Sequence, residues 1–356
     1  MFFELSHNFN ETFANFYKIG NMCLSTDYGW KEFFSNGKKA IAKGYSFETS
    51  LEVAAFHPPK YRGMFCSIVE TDNGIMITHG IPRSFPIYTI DGKVTNLYKG
   101  NLIPDNQYYV DGTTVSYNLI TFKPRIENSL SLNQAIEIID SYLEENIKGF
   151  QVFNDKEIKV TVTGGLDTSL IYSYIDNLNI KHVPIIDRIF ELDAFVIKNY
   201  QTIEENSEFI VDVNHYREPC VVTSGGNGDF YFLRTAEAMS WVDVDRRYKY
   251  DSNVDYNDLT YKTYFNHTSL FKKICSCYNI WHLNNTIYFN PLLDIRIPLT
   301  IMAVKKHELF DAIKIGQIQK TLIAKRSNWI GNLVSSKKMP NQQLKFLPEV
   351  LKKLNK

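Results

Sequence analysis

Between Lys156 and Ile175 the chain reads KEIKVTVTGGLDTSLIYSYI, and the spacing of its apolar residues changes across a pair of glycines. Ile158, Val160 and Val162 alternate with Lys159 and Thr161, the period of a short strand. Thr163, Gly164, Gly165, Leu166, Asp167, Thr168 and Ser169 follow as a turn of small residues, and the run from Leu170 to Ile175 continues as a helix. A strand, two glycines and a helix start in that order turn backbone N–H groups and the positive end of a helix dipole toward whatever occupies the turn, so the stretch reads as an anion site. The glycines let the backbone approach phosphate oxygens, Thr163, Thr168 and Ser169 add hydroxyl donors, and Asp167 is suited to the Mg²⁺ that accompanies a nucleotide. A P-loop needs GxxxxGK before Ser or Thr, and a dinucleotide fold needs GxGxxG; neither pattern fits these residues. An ordinary strand-to-helix turn is the alternative.

The chain on either side divides by period. From Phe2 to about Phe122 short alternating apolar runs are broken by turn residues: Phe65 to Val69, Gly74 to Thr78, Ile87 to Ile90, and Val94 to Tyr98 after the hairpin signal Asp91-Gly92. These predict a mostly β domain, a layered sandwich, over 1–123. Residues 124–131 form a polar connector. Leu132, Ala135, Ile136, Ile138, Ile139 and Leu143 then fall at helical spacing, with Glu137, Asp140 and Glu144 expected on the opposite, solvated side. Beyond the glycine turn, strands are predicted at His182 to Ile186, Phe209 to Val213 and Cys220 to Thr223, with a helix from Leu192 to about Glu204. Strands alternating with helices predict a second domain over 131–356, a parallel sheet with helices on both faces that binds ligands beyond the strands' carboxyl ends.

Composition narrows the classes. In 356 residues, 44% of them hydrophobic, there is enough apolar mass for a core in each of two domains. Lys plus Arg and Asp plus Glu balance at 39 each, so no global field draws the chain to nucleic acid or an anionic membrane. The start has no basic region ahead of an apolar run, and no run of apolar residues is long enough to span a bilayer; the expectation is a cytoplasmic protein. Five scattered cysteines suit a reducing compartment better than a disulfide framework. Cys275, Cys277 and His282 lack a fourth ligand at zinc spacing, and their apolar neighbours read as core.

The run Thr163 to Ser169 resembles the pyrophosphate loop SGGxDS of the enzymes that cleave ATP to AMP and pyrophosphate, with Thr163 and Thr168 in place of serines. Arg62 to Val94 and Leu102 to Gly112 resemble the glutaminase-like N-terminal domain of the asparagine synthetase family. That domain hydrolyses glutamine with a cysteine at the processed N-terminus, whose α-amino group activates the thiol. Phe2 stands here, and the first cysteine is Cys23, so the expectation is the scaffold without glutamine hydrolysis. Ser224-Gly225-Gly226-Asn227-Gly228-Asp229 resembles the family's SGxGxDE loop, which makes Asp229 a second metal carboxylate opposite Asp167. Gly226 and Phe230 depart from that loop where the family handles the amine. Asn290-Pro291-Leu292-Leu293-Asp294-Ile295-Arg296 resembles the PFLDxR element; alternatively Asp294 is a helix-start acid with Arg296 as its surface partner. Lys320-Thr321-Leu322-Ile323 resembles a K-x-L-L segment whose usual arginine is Ala324. Ser335 to Pro340 lies where relatives carry a lysine that reaches the α-phosphate, first Lys338 and second Lys337.

The resemblance implies an Ntn-hydrolase-like β sandwich followed by a parallel-sheet α/β synthetase domain, and an AMP-forming amide ligase. Its substrates would be ATP with Mg²⁺, a small-molecule or peptide carboxylate, and an amine or ammonia. Thr163, Gly164, Gly165, Leu166, Asp167, Thr168, Ser169, Ser224 and Gly225 would bind ATP and pyrophosphate, Asp167 and Asp229 the metal, and Lys338 or Lys337 the reacting phosphate. Ring closure within one substrate, as in β-lactam synthetases and lasso-peptide cyclases, and a non-catalytic nucleotide-binding relative are the alternatives. No nucleic-acid or membrane partner is expected, and a homo-oligomer is left open.

Overall fold

The computed structural model describes residues 2–57, 60–80, 87–96, 101–102, 106–110, 113–117, 129–153, 155–161, 165–187, 208–210, 220–223, 225, 228–234 and 286–327. The protein is mixed α/β with several sheets, one of them parallel. It divides into two compact units, one built on Met1–Arg125 with Leu293–Ile295, the other on Ile126–Asp243 with Tyr288–Leu292 and Arg296–Lys356.

The first unit holds β1 (Phe3–Ser6), β2 (Asn15–Ile19), β3 (Met22–Thr26), β4 (Lys31–Ser35), β5 (Lys38–Ser46), β6 (Gly63–Thr71), β7 (Gly74–His79), β8 (Tyr88–Ile90), β9 (Lys93–Thr95), β10 (Asn101–Leu102), β11 (Asn106–Val110) and β12 (Thr113–Tyr117). They form two six-stranded sheets, β10-β8-β9-β1-β3-β2 and β11-β12-β7-β6-β5-β4. The position of each strand follows from its side chains. β3 is buried along its whole length and β6 over its first seven residues, as strands covered on both faces must be. The edge strands β2 and β4 expose alternate residues. The β8–β9 hairpin turns on Asp91 and Gly92, at φ 48° and 72°, with Ile90 opposite Lys93. Both residues take the left-handed conformation that a two-residue turn requires, as the Asp-Gly pair predicts. The strand predicted from Val94 to Tyr98 is described only as Lys93–Thr95.

A short helix, α1 (Leu51–Ala55), is capped by the Ser50 hydroxyl and covers the second sheet through Ala40, Ala42, Ala55 and Val69, flanked by Phe33, Leu51, Phe56 and Met76. At the corner between β3 and β4, Lys43 is 4% exposed and donates to Asp27 and to the Tyr28 carbonyl. Burial pulls its pKa down, and the Asp27 carboxylate opposes that shift.

In the second unit α2 (Leu132–Lys148) begins with a capping box, Ser131 accepting from the Gln134 backbone while the Gln134 side chain accepts from Ser131. Leu132, Ala135, Ile136, Ile139, Leu143 and Ile147 form its buried face. Each leucine and isoleucine among them contributes about 1.5–3 kcal/mol by leaving water. Asp140 departs from the expectation of a solvated side: it is 5% exposed and faces the helix over Leu166–Asn177 and the one over Gln317–Arg326. The acidic stripe lies against basic residues near the end of a later helix, so its centre is covered.

The parallel sheet runs β15-β14-β13-β16-β17, from β13 (Glu157–Thr161), β14 (Val183–Asp187), β15 (Glu208–Ile210), β16 (Cys220–Thr223) and β17 (Ile287–Tyr288). β13 pairs in parallel with both β14 and β16, so the chain steps outward first to one side and then to the other. The crevice at the carboxyl ends of β13 and β16 is therefore the topological switch point, where open parallel sheets bind ligands. Among the described residues the remaining α-helices are α3 (Leu166–Asn177), α4 (Gly228–Tyr231), α5 (Arg296–Met302), α6 (Lys306–Ile315) and α7 (Gln317–Arg326). The helix predicted from Leu192 to Glu204 lies outside the described residues. No helix among the described residues is long and apolar enough to cross a membrane.

Candidate functional site

The glycine turn is shorter than its sequence implies. Helix α3 starts at Leu166 with Gly165 as its N-cap, so Leu166, Asp167, Thr168 and Ser169 form the first helical turn. Ser and Thr there read as turn formers, but burial of the helix overrides that preference: every residue from Thr168 to Ile175 is buried. Asp167 thus sits at the second position of the helix, where a carboxylate interacts favourably with the dipole. Thr163 and Gly164 lie outside the described residues.

The loop after β16 lies against this helix start. A methyl group added at Gly225 would stand 2.4 Å from the Thr168 nitrogen and 2.5 Å from the Asp167 carbonyl carbon. One added at Gly228 would stand 2.4 Å from the Asp167 carboxyl carbon and 2.8 Å from its Oδ1. Only residues without a side chain let the segment after β16 approach the start of α3 this closely. Ser224 lies outside the described residues. Asp229 falls within α4, without a description of its side chain.

Two residues not singled out in the sequence also meet Asp167. Gln319 on α7, 1% exposed, donates from Nε2 to Asp167 Oδ1 at 3.0 Å. Arg234 Nη1 stands 3.9 Å from the same oxygen. The signal for Gln319 was weak: it precedes the Lys320 to Ile323 run, of which Leu322 and Ile323 are core while Lys320 faces solvent. The Asp167 side chain keeps 14% of its surface.

At the carboxyl ends of the two central strands, the Thr161 and Thr223 hydroxyls are buried and have no hydrogen-bond partner among the described residues. Val160 pairs with Thr223, so successive alternation puts the two hydroxyls on opposite faces of the sheet. Buried hydroxyls are normally bonded, and because these two lie on opposite faces no single group against one face of the sheet would pair with both.

Behind the site a charged network joins the helices. Asp140 accepts from the Tyr174 hydroxyl at 2.5 Å, from Arg326 at 2.6 Å and from Lys325 at 2.9 Å. Burial alone would raise the Asp140 carboxyl, but these bonds and the Arg326 charge outweigh it and hold the pKa below the usual carboxylate value. Arg326 also bonds Glu144 and lies over the Tyr174 ring. Burial, then the Asp140 carboxylate, pushes the Tyr174 phenol well above its ordinary value, and burial takes Tyr172 up to about 12.

Asp294 and Arg296, read alternatively as a helix-start acid and its surface partner, each have a partner elsewhere. Arg296 donates to Glu145 at 2.9 Å and lies over the Tyr142 ring, while Asp294, completely buried, receives Arg62 Nη1 at 2.7 Å. Asp294 precedes α5, but its carboxylate is buried in the first unit and receives the Arg62 guanidinium. Arg62 holds Glu48 as well, at 2.7 Å. Cys23 is 2% exposed, donates to the His7 carbonyl and accepts from Lys18. Lys337, Lys338, Cys275, Cys277 and His282 lie outside the described residues. No group of three metal-ligating side chains occurs among the described residues. No family model matches the chain, and no curated protein matches it.

Proposed function

We propose that the protein is an ATP-dependent, AMP-forming amide ligase of the asparagine synthetase-like class, with a glutaminase-like domain over 1–123 that does not hydrolyse glutamine and an adenylating domain over 131–356. The observation that supports it most is the meeting of two glycine loops at the start of α3: Gly225 and Gly228 close on Asp167 and Thr168 at the switch point of a parallel sheet. A helix start and a carboxylate beside the ends of the central strands make a polar crevice suited to a nucleotide's phosphates together with the cation that accompanies them.

In this reading a substrate carboxylate oxygen attacks the α-phosphorus of ATP, the bond to the bridging oxygen breaks, and pyrophosphate leaves toward the Thr163 to Ser169 segment. An amine nitrogen or ammonia then attacks the acyl carbon, AMP leaves with the electron pair of the mixed anhydride, and the nitrogen's proton is lost to give the amide. The anhydride splits one difficult condensation into two easier steps. Asp167 and Asp229 are the carboxylates suited to Mg²⁺, a hard cation that takes oxygen ligands and screens the phosphate charge. Lys338, or Lys337, supplies the fixed cation beside the reacting phosphate. Burial of Cys23 between Lys18 and His7 supports a structural role for that thiol.

The test is ATP–pyrophosphate exchange across a panel of carboxylic acids. Exchange should occur with at least one acid and disappear in Asp167→Ala. Exchange that survives that substitution removes Asp167 and the loop from the chemistry.

A further inference from the structure

We infer that Gln319 is a positioning residue, which fixes the Asp167 carboxylate in the orientation that a nucleotide-bound divalent cation requires. The inference rests on the proposed nucleotide site and adds to it a residue from an element distant in sequence.

Gln319 occupies the third position of α7 and is 1% exposed, so its amide is held by packing. Its Nε2 donates to Asp167 Oδ1 at 3.0 Å. Gly228 bounds the same carboxyl group from another side, because a methyl group there would stand 2.4 Å from its carbon. Arg234 Nη1, at 3.9 Å, is beyond hydrogen-bond distance and contributes charge without fixing orientation. Gln319 thus supplies a neutral donor to this oxygen, and Gly228 bounds the same carboxyl group.

The neutrality of that donor matters. A lysine or arginine bonded at Gln319's position would add a positive charge against the carboxylate, whereas an amide directs one oxygen without adding one. Outer partners of this kind usually carry about a 10- to 100-fold effect on metal affinity when removed. A purely structural Gln319 predicts something else, a loss of stability with no selective effect on the metal.

The experiment titrates the full chain with ATP, with and without Mg²⁺, by calorimetry, comparing wild type, Gln319→Met, Asp167→Asn and the double variant. Met keeps the length and removes the donor; Gln319→Leu is made in parallel in case Met distorts α7, and thermal unfolding of each apo chain checks folding. The expected result is that the Mg²⁺-dependent gain in ATP affinity falls about 10- to 100-fold in Gln319→Met while Mg²⁺-free affinity stays within about twofold. In the Asp167→Asn background the same change should add nothing, because it acts only through that carboxylate. An unchanged Mg²⁺ gain, equal losses with and without Mg²⁺, or a full additive loss in the double variant overturns the role of Gln319 and leaves the nucleotide site standing. Absence of any ATP binding by the wild-type chain overturns the nucleotide site, and the role of Gln319 with it.

Discussion

Gly225→Ala and Gly228→Ala each add one methyl group to the same loop, yet they press on different parts of Asp167 and should fail differently. At 225 the new carbon meets main chain, 2.4 Å from the Thr168 nitrogen and 2.5 Å from the Asp167 carbonyl carbon, about 1 Å inside ordinary contact. Those atoms belong to the first turn of a buried helix, so relief requires the loop or the helix to move, and overpacking of this kind costs about 1–3 kcal/mol. At 228 the obstacle is a side chain, with the Asp167 carboxyl carbon at 2.4 Å and its Cβ at 2.6 Å. Rotation of that side chain moves the carboxyl carbon for about 0.5–1.5 kcal/mol and takes the carboxylate off Gln319, while the Cβ, fixed by the backbone, also requires a small shift of the chain at Gly228. Urea denaturation measures the stability of each variant, and calorimetric titration with ATP and Mg²⁺ measures the site. Gly225→Ala should show the larger drop in midpoint. Gly228→Ala should stay folded and lose at least about tenfold in Mg²⁺-dependent affinity, the effect expected when a metal carboxylate is misdirected. If both variants unfold within about 0.5 kcal/mol of wild type and bind alike, the close approach of the two loops is refuted.

Two further outcomes concern the folded framework. Asp140→Asn should destabilise the protein by about 1–3 kcal/mol near neutral pH, because Arg326 and Tyr174 lose a charged acceptor in a buried place. The folded-state pKa of Asp140 lies below the ordinary 3.8, so its contribution is complete above that value and disappears as pH falls through the lower one. The wild-type advantage over Asp140→Asn should be flat between about pH 5 and 8 and shrink below about pH 4, read from denaturation midpoints across that range. Arg62→Met leaves the fully buried Asp294 without its guanidinium and should cost about 3–5 kcal/mol, whereas Arg62→Met with Asp294→Leu should recover most of the loss. A double variant no better than the single one would assign the cost to Glu48 instead.

Local chemistry was legible wherever neighbours in sequence decide it. Asp91-Gly92 specifies its turn through backbone sterics alone, the branched run at Cys220 specifies β16 over Cys220–Thr223, and apolar spacing from Leu132 specifies the inner face of α2. The glycine segments at 164–165 and 225–228 likewise signal that backbone must come close to something, since no other reason for two such runs after strands is evident in the residues themselves. Charged residues were not legible in this way. Asp140, Asp294 and Asp167 each read as a solvated or ligand-facing acid, because a carboxylate's periodicity is the same whether its partner is water or an arginine far along the chain. Their partners Arg326, Arg62 and Gln319 lie 186, 232 and 152 residues away.

The sequence by itself determined the alternation of strands and helices, the places where the chain must turn, and the need for bare backbone at two loops, since these depend on dihedral preference and on the period at which apolar groups recur. Tertiary structure alone decided that the two loops meet on one carboxylate, that a glutamine orients it, and that buried acids find cations. Burial makes a polar group's partner obligatory, but which partner it finds depends on how distant segments fold together.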